Sequence, residues 1–445
     1  MVGILGLEEF RVLQKEEFDN SVLFVVEKQD YFPACPECGS VIVNKHAKIT
    51  RHARDLNYFD KHCELAIEGN RYKCTDCDKT FTTEYDSVDS RAKVTNRLKV
   101  RIQNETLKKP FKQIAEEYSI SNATVRRFFE EFVEKKESEY KIKAPRVLGM
   151  DEAHLNKEMR GVFTDIENRM VINILPKRTK GTVVDFLYSL PDYEKIEVVT
   201  IDMHRPYKEA VILVLPESKI VIDRFHVIQL VTKALEKIRV NLGRDVSKSD
   251  RRYLVNSRFM LLKNQENLRG NDFEKLDILF NKYPDYGIAY NLKESFRKIY
   301  ECNSKKEAIH TFKEWEKLIP DIMPEFKDVA KTMNNWDTEI FNYFDHRYTN
   351  AYTESLNNLI KEIEKRGRGY SFEVLRAKVL FGTAATKPPK YSRPERRAER
   401  TKSVGSGMAH MGYVTPFGEY EKPILLKGSG VDINELIEIM ESGAF

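Results

Sequence analysis

The chain has 445 residues, 41% hydrophobic and 32% charged, with 74 basic and 69 acidic side chains and a formal net charge of +5. At about 150 residues per domain the length excludes a single small module and predicts about three domains. The sequence has no apolar run of the roughly 18 residues a membrane span needs, and six cysteines in so long a chain exclude a disulfide scaffold.

Met1-Val2-Gly3-Ile4-Leu5 lacks the basic flank and cleavage site of a signal peptide, so the chain reads as a soluble, cytoplasmic protein. Its charge is uneven. Arg91 to Lys143 holds 14 basic and 8 acidic residues, and Lys387 to Lys402 holds 7 and 2. Two basic segments on a mixed-sign body suit a polyanionic partner.

Residues 1–90 form the first region. Short apolar runs such as Val22-Leu23-Phe24-Val25-Val26 predict strands. Cys35-Pro36-Glu37-Cys38 and Cys74-Thr75-Asp76-Cys77 each put two thiolates on a tight turn, and two such knuckles complete a tetrahedral, closed Zn²⁺ site. The 35 residues between the pairs leave room for a hairpin, as in zinc ribbons. Cys63 and Cys302 read as core residues, and His46, His52 and His62 as loop histidines and not ligands.

Residues 91–144 change to helical periodicity. Phe111 to Tyr118 predicts a short amphipathic helix, Ser119-Ile120-Ser121 a turn, and Asn122 to Val133 a second helix capped by Ser121. This is a helix-turn-helix pattern in which Asn122, Thr124, Arg126 and Arg127 could reach base edges and phosphates in a major groove.

Residues 145–226 predict the order β-β-β-α-β-α-β, that of a ribonuclease-H-like fold with its first and fourth strands adjacent. Asp151 projects from the first strand, Val147 to Glu152, and Asp202 ends the fourth, Ile196 to Asp202. Two carboxylates held face to face repel unless divalent cations neutralise them, so the pair predicts a Mg²⁺ site for phosphoryl transfer. Residues 227–345 read as an all-helical insertion with Trp315 and Trp336 in its core. Residues 346–383 return to the catalytic domain. There a helix from Asn350 to Arg366 places Glu354, Asn357, Asn358, Lys361 and Lys365 on one face, with Glu354 as the third metal-binding carboxylate. Lys361 and Arg366 are placed toward the DNA backbone, and residues 384–445 form a basic tail.

The Cys-x-x-Cys pairs, the helix-turn-helix, Gly149-Met150-Asp151-Glu152, Thr200-Ile201-Asp202-Met203, Asp223-Arg224-Phe225-His226 and Thr349 to Asn357 together resemble the DDE transposases of bacterial insertion sequences, specifically the IS-L-three family. The resemblance covers nearly the whole chain. It implies that Asp151, Asp202 and Glu354 are a catalytic triad holding two Mg²⁺ ions, or Mn²⁺, and that Asp223 and His226 are further active-site candidates. It also implies double-stranded DNA partners, both element ends and target, a homodimer or larger complex on DNA, and work at the bacterial nucleoid with no membrane. The fold expected is multidomain α+β: a zinc module, a helix-turn-helix and a ribonuclease-H-like α/β domain carrying a helical insertion. The rival readings are a non-catalytic DNA-binding regulator descended from a transposase, and a ribonuclease-H-type nuclease.

Overall fold

The computed structural model describes residues 6–29, 31–244 and 246–382. The basic run Lys387 to Lys402 and the rest of the expected tail lie outside the described residues. The chain divides into two compact units. One contains the described residues of 1–143, 154–158 and 360–382, the other those of 144–153 and 159–359.

The first unit begins with β1 (Phe10–Glu17), β2 (Ser21–Lys28), β3 (Val43–Tyr58), β4 (Lys61–Cys74), β5 (Thr80–Thr82), β6 (Val88–Asp89) and β7 (Val94–Thr95). Their sheet runs in the order β1-β2-β4-β3-β7-β6, with β5 added to β4. β3 and β4 pair antiparallel from Val43–Cys74 to Tyr58–Lys61, and this long hairpin fills the interval between the two cysteine pairs. Alternation in β2 sends Val22, Phe24 and Val26 inward, where they pack with Ala53, Cys63, Leu65 and Ile67. The hairpin also corrects one expectation: His46 and His52 lie on β3 and His62 on β4, not in loops. His52 Nδ1 is 2.8 Å from Glu64 Oε1.

Three helices follow: α1 (Asn96–Thr106), α2 (Phe111–Glu117) and α3 (Asn122–Glu139). Ser121 caps α3 by accepting from Thr124 N at 3.1 Å, and α3 continues six residues beyond the predicted Val133. Leu98, Ile102, Ile114, Tyr118, Val125 and Phe128 form their shared core. Asp55 on β3 is buried, and it takes Arg97 Nε at 2.8 Å and Thr95 Oγ1 at 2.6 Å, fastening the start of α1 to the sheet.

The second unit contains β8 (Val147–Leu155) and β9 (Glu158–Asp165) except for residues 154–158 where they join, together with β10 (Met170–Leu175), α4 (Lys180–Ser189), β11 (Val198–Ile201), α5 (Arg205–Val214) and β12 (Lys219–Ile222). The sheet order is β10-β9-β8-β11-β12, with β8, β11 and β12 parallel and β9 and β10 antiparallel. Val-Val-Thr-Ile of β11 is buried throughout, as a central parallel strand covered on both faces requires.

From β12 the chain enters α6 (Arg224–Leu242), α7 (Lys248–Asn256), α8 (Arg258–Leu262), α9 (Asp272–Lys282), α10 (Pro284–Arg297), α11 (Lys305–Lys317), α12 (Pro324–Asn335), α13 (Asp337–Phe341) and α14 (Tyr343–His346). Both tryptophans are buried. Trp315 donates Nε1–H to Leu292 O at 2.9 Å and packs edge-on to Phe296. Next comes α15 (Ala351–Gly367), then α16 (Phe372–Phe381). The sequence grouped α16 with the glutamate helix; its Val374 and Ala377 pack with Phe129 of α3 in the first unit.

Candidate active site and metal centres

At the cysteine knuckles, hairpin pairing brings Val43 opposite Cys74 and so draws the two turns together. Cys35 Sγ lies 3.5 Å from Cys77 Sγ, and Cys38 Sγ 3.6 Å from Cys74 Sγ. All four sulfurs are within 4.8 Å of one another. A tetrahedron with metal–sulfur bonds of about 2.3 Å has edges of about 3.8 Å. The sulfurs therefore fit one Zn²⁺, and the four-cysteine set supports a structural zinc. Backbone N–H groups of Cys77 and Asp76 point at Cys74 and hold its thiol down to about 7, toward the thiolate that binds metal.

The second cluster is built by strand register. β11 lies beside β8 with Thr200 opposite Gly149, so Asp202, one residue past β11, comes alongside Asp151. β12 lies beside β11 with Ile222 opposite Ile201, so Asp223 follows one strand over. Glu354 enters from the first turn of α15. His226 Nδ1 sits among them, 3.1 Å from Asp202 Oδ1, 3.3 Å from Asp223 Oδ2 and 3.5 Å from Glu354 Oε1. Its hydrogen bond is with Asp223. Asp202 Oδ1, though close, is off line and remains a buried oxygen with no hydrogen-bond partner.

This concentration of carboxylates resists ionisation. Burial and then the charge of Asp151 push Asp202 up to about 8. Burial and then Asp223 push Glu354 up to about 8. Burial alone would depress His226, but Asp223, Asp202 and Glu354 overcome it and raise the imidazole to about 9. Buried, hard oxygen donors, one of them without a hydrogen-bond partner, suit a divalent cation, which would supply the positive charge that one imidazolium supplies only in part.

Neutral side chains hold the cluster in place. Asn350 is fully buried: its Oδ1 accepts from Thr200 Oγ1 at 3.3 Å, its Nδ2 donates to Met150 O at 3.3 Å, and its backbone N–H donates to Asp223 Oδ1 at 3.1 Å. Its carbonyl accepts Glu354 N at 3.0 Å. One asparagine thus touches Asp223 directly and the backbone or neighbours of the other three acids. Asn357, one turn beyond Glu354, donates Nδ2–H to Asp151 Oδ2 at 2.8 Å, and its own Oδ1 is buried without a partner. This corrects the expected helix face: Asn358 is exposed, whereas Asn357 is buried against Asp151 because α15 lies on the sheet at that edge.

Gly149 allows that approach, since a Cβ there would overlap Thr164 Oγ1, Ile166 Cδ1 and Thr353 Oγ1. Thr164 and Thr353 hydrogen bond across the same spot at 2.7 Å. Tyr207 OH donates to Asp151 O at 3.3 Å, and Arg178 pairs with Glu152. Sequence reading missed the roles of Asn350, Asn357, Thr200 and Thr353. The signal for Asn357 was present in its helical spacing from Glu354.

On α3, Asn122 and Arg126 are exposed, Arg126 pairing with Glu130 at 3.0 Å. Thr124 is engaged with Ser121 at 2.9 Å, and half-buried Arg127 lies 3.6 Å from Glu131 with its guanidinium over Phe128. Lys361 and Arg366 are exposed on α15. Among the described residues no helix is long and apolar enough to cross a membrane.

A family profile for DDE transposases of the IS-L-three type, described as "Transposase", matches residues 148–379. A second, described as "zinc-finger of transposase IS204/IS1001/IS1096/IS1165", matches residues 32–77. The chain is also similar to the transposase for insertion sequence element IS1001 of Bordetella parapertussis, with 24% identity over 344 residues, or 76% of this chain and 85% of that protein.

Proposed function

The chain belongs to the IS-L-three family of DDE transposases, and on that premise we propose that it binds the terminal inverted repeats of an insertion sequence and catalyses Mg²⁺-dependent DNA strand cleavage and strand transfer. The observation that carries this reading is the convergence of Asp202, Asp223 and Glu354 on His226, with Asp151 alongside. Asp151, Asp202 and Glu354 would hold the divalent ions, with Asp223 at the same edge. Bound there, a pair of such ions supplies activation of the attacking oxygen and stabilisation of the leaving oxygen.

The chain's own residues do the positioning. Asn357 fixes one oxygen of Asp151, and the backbone N–H of Glu152 fixes the other at 2.7 Å. Asn350 ties the turn carrying Glu354 to both central strands. His226 keeps a proton on Nδ1 toward Asp223 and offsets part of the acidic charge when the phosphodiester enters. No covalent protein–DNA bond is needed.

The strand order, with its first and fourth strands adjacent and parallel, supports a ribonuclease-H-like catalytic domain. The α2–turn–α3 geometry supports a helix-turn-helix in which Asn122 and Arg126 face the DNA. Zinc at the knuckles holds the long β3–β4 hairpin, and cutting two ends implies a dimer or larger complex at the nucleoid.

The test is cleavage of an inverted-repeat duplex in Mg²⁺. The wild type should nick it at the repeat boundary, and Asp202→Ala should bind the same duplex without cutting. Cleavage that persists in Asp202→Ala would overturn the reading.

A further inference from the structure

The helical insertion is divided by charge. Residues 224–270 contain eleven basic and four acidic side chains, whereas residues 271–345 contain eleven and fifteen. α6 buries Val227, Val231, Ala234, Leu235 and Ile238, and it packs on α10 and α12. At 100° per residue its opposite face carries Phe225, Gln229, Lys233, Lys237 and Val240, and all but half-buried Gln229 are exposed. α7 buries Leu254 and exposes Lys248, Arg251 and Arg252. The two runs meet at Gly243, where an added Cβ would lie 3.9 Å from Arg251 Cγ, and Arg244 stands exposed beside them.

Lys233, Lys237, Arg244, Lys248, Arg251 and Arg252 form no ion pair with a carboxylate among the described residues. Their neighbours do: Arg239 and Arg258 share Glu236, and Lys282 takes Asp250. A solvated helix face ordinarily interleaves both signs, and a run of like charges destabilises itself unless an anion lies across it. The run also has a direction. It starts at Phe225, whose ring centroid is 5.9 Å from that of His226 in the carboxylate cluster, and continues down the 19 residues of α6. At about 1.5 Å per residue that is about 28 Å, the length of about eight base pairs at about 3.4 Å each.

We propose that this face of α6, continued by the start of α7, is a binding track for the DNA backbone beside the scissile phosphate, separate from any contact made by the zinc module or α3. This rests on the reading of the chain as a DNA-cleaving transposase and assigns part of its insertion a task.

The test uses the full-length protein and a random-sequence duplex of about 40 base pairs, with affinity measured across NaCl concentrations. A stripe variant, K233Q/K237Q/R244Q/R251Q, is compared with K275Q/K298Q/K306Q/K331Q, which removes four exposed lysines elsewhere in the insertion. Because about 0.9 is lost from the slope of log K against log salt for each phosphate contact removed, the stripe variant should be shallower than wild type by about 3 to 4, with the control unchanged. Both should melt with the wild type. A stripe slope equal to wild type, as expected if the surface instead receives an acidic protein, overturns the track; so does an equal loss in the control. If the wild type neither binds nor cuts any DNA, the reading beneath fails. If it does both and the stripe variant matches it, only the track fails.

Discussion

At the zinc knuckles the ligands come in pairs three positions apart, Cys35 with Cys38 and Cys74 with Cys77, and each pair is made by one turn. At the carboxylate cluster no two of Asp151, Asp202, Asp223 and Glu354 share an element, so the site exists only when three strand positions and a helix are in register. The thiolates are gathered by local geometry and closed by the metal they suit. The carboxylates are gathered against their own repulsion by neutral groups, Asn350 and Asn357 above all, with Asp151 and Asp223 buried and Asp202 and Glu354 half-buried. A soft-ligand site that closes on its metal should therefore act on stability, and a hard-ligand site on the proposed chemistry.

The largest expected effect is at zinc. Stripping the metal with a chelator should release one Zn²⁺ per chain and unfold the knuckles and their hairpin, since structural zinc of this type contributes about 10 kcal/mol or more. Limited proteolysis should then cut between residues 32 and 82 while Mn²⁺ still binds the carboxylates, and simultaneous loss of Mn²⁺ binding would break the contrast. Next come the acids: Asp202→Ala or Glu354→Gln should slow single-turnover DNA cleavage by about 10³-fold or more, about 4 kcal/mol, with zinc content untouched. Retained cleavage in either variant would remove that residue from the chemistry.

Smaller is Asn350→Ala, which strands Thr200 Oγ1 and Met150 O while leaving the backbone N–H to Asp223 in place. It should cost about 2 to 4 kcal/mol in thermal unfolding and weaken Mn²⁺ binding by about 10- to 100-fold. If the melt shifts but Mn²⁺ affinity does not, Asn350 supports the fold alone.

The last effect is in pH. Asp202 and Glu354 are raised to about 8 and His226 to about 9. Groups whose folded pKa exceeds the unfolded one bind protons more tightly when folded, so their contribution is lost as pH rises. Metal-free protein should lose stability from about pH 4 to 8 through the carboxylates and from about 6.5 to 9 through His226. Added Mg²⁺ should raise the melting temperature more at pH 9 than at pH 6; an equal rise at both would count against a proton-blocked cluster.

The sequence revealed what local rules encode. The cysteine spacing located the knuckles, and apolar runs ending near Asp151, Asp202 and Asp223 located the strands with ends off by at most three residues, the largest difference being at the end of β8. Ser121 was readable as a cap because the pattern of an N-cap is contained in four positions. Helical spacing put Asn357 on the face of Glu354 but not against Asp151, because a polar residue on an amphipathic helix ordinarily faces water, and only the depth at which α15 lies on the sheet buries it there. For Lys378 the same rule predicts exposure. It is instead buried, donating to Thr106 O and, at 3.1 Å, to Lys109 O. Charge counts also concealed the cations of α6, because the whole insertion sums nearly to neutrality.

That lysine bears on how the protein is made. It reaches the carbonyls at the end of α1 from α16, its ammonium held down to about 7 by burial and lying over the rings of Phe111 and Tyr370. During synthesis the N-terminal helices leave the ribosome long before α16 does, and until then Phe111 and Phe129 lack the residues that cover them. A nascent or truncated chain can fold its hairpin and load zinc early, but it finishes α1–α3 only near the end of translation, so premature termination leaves that module uncapped.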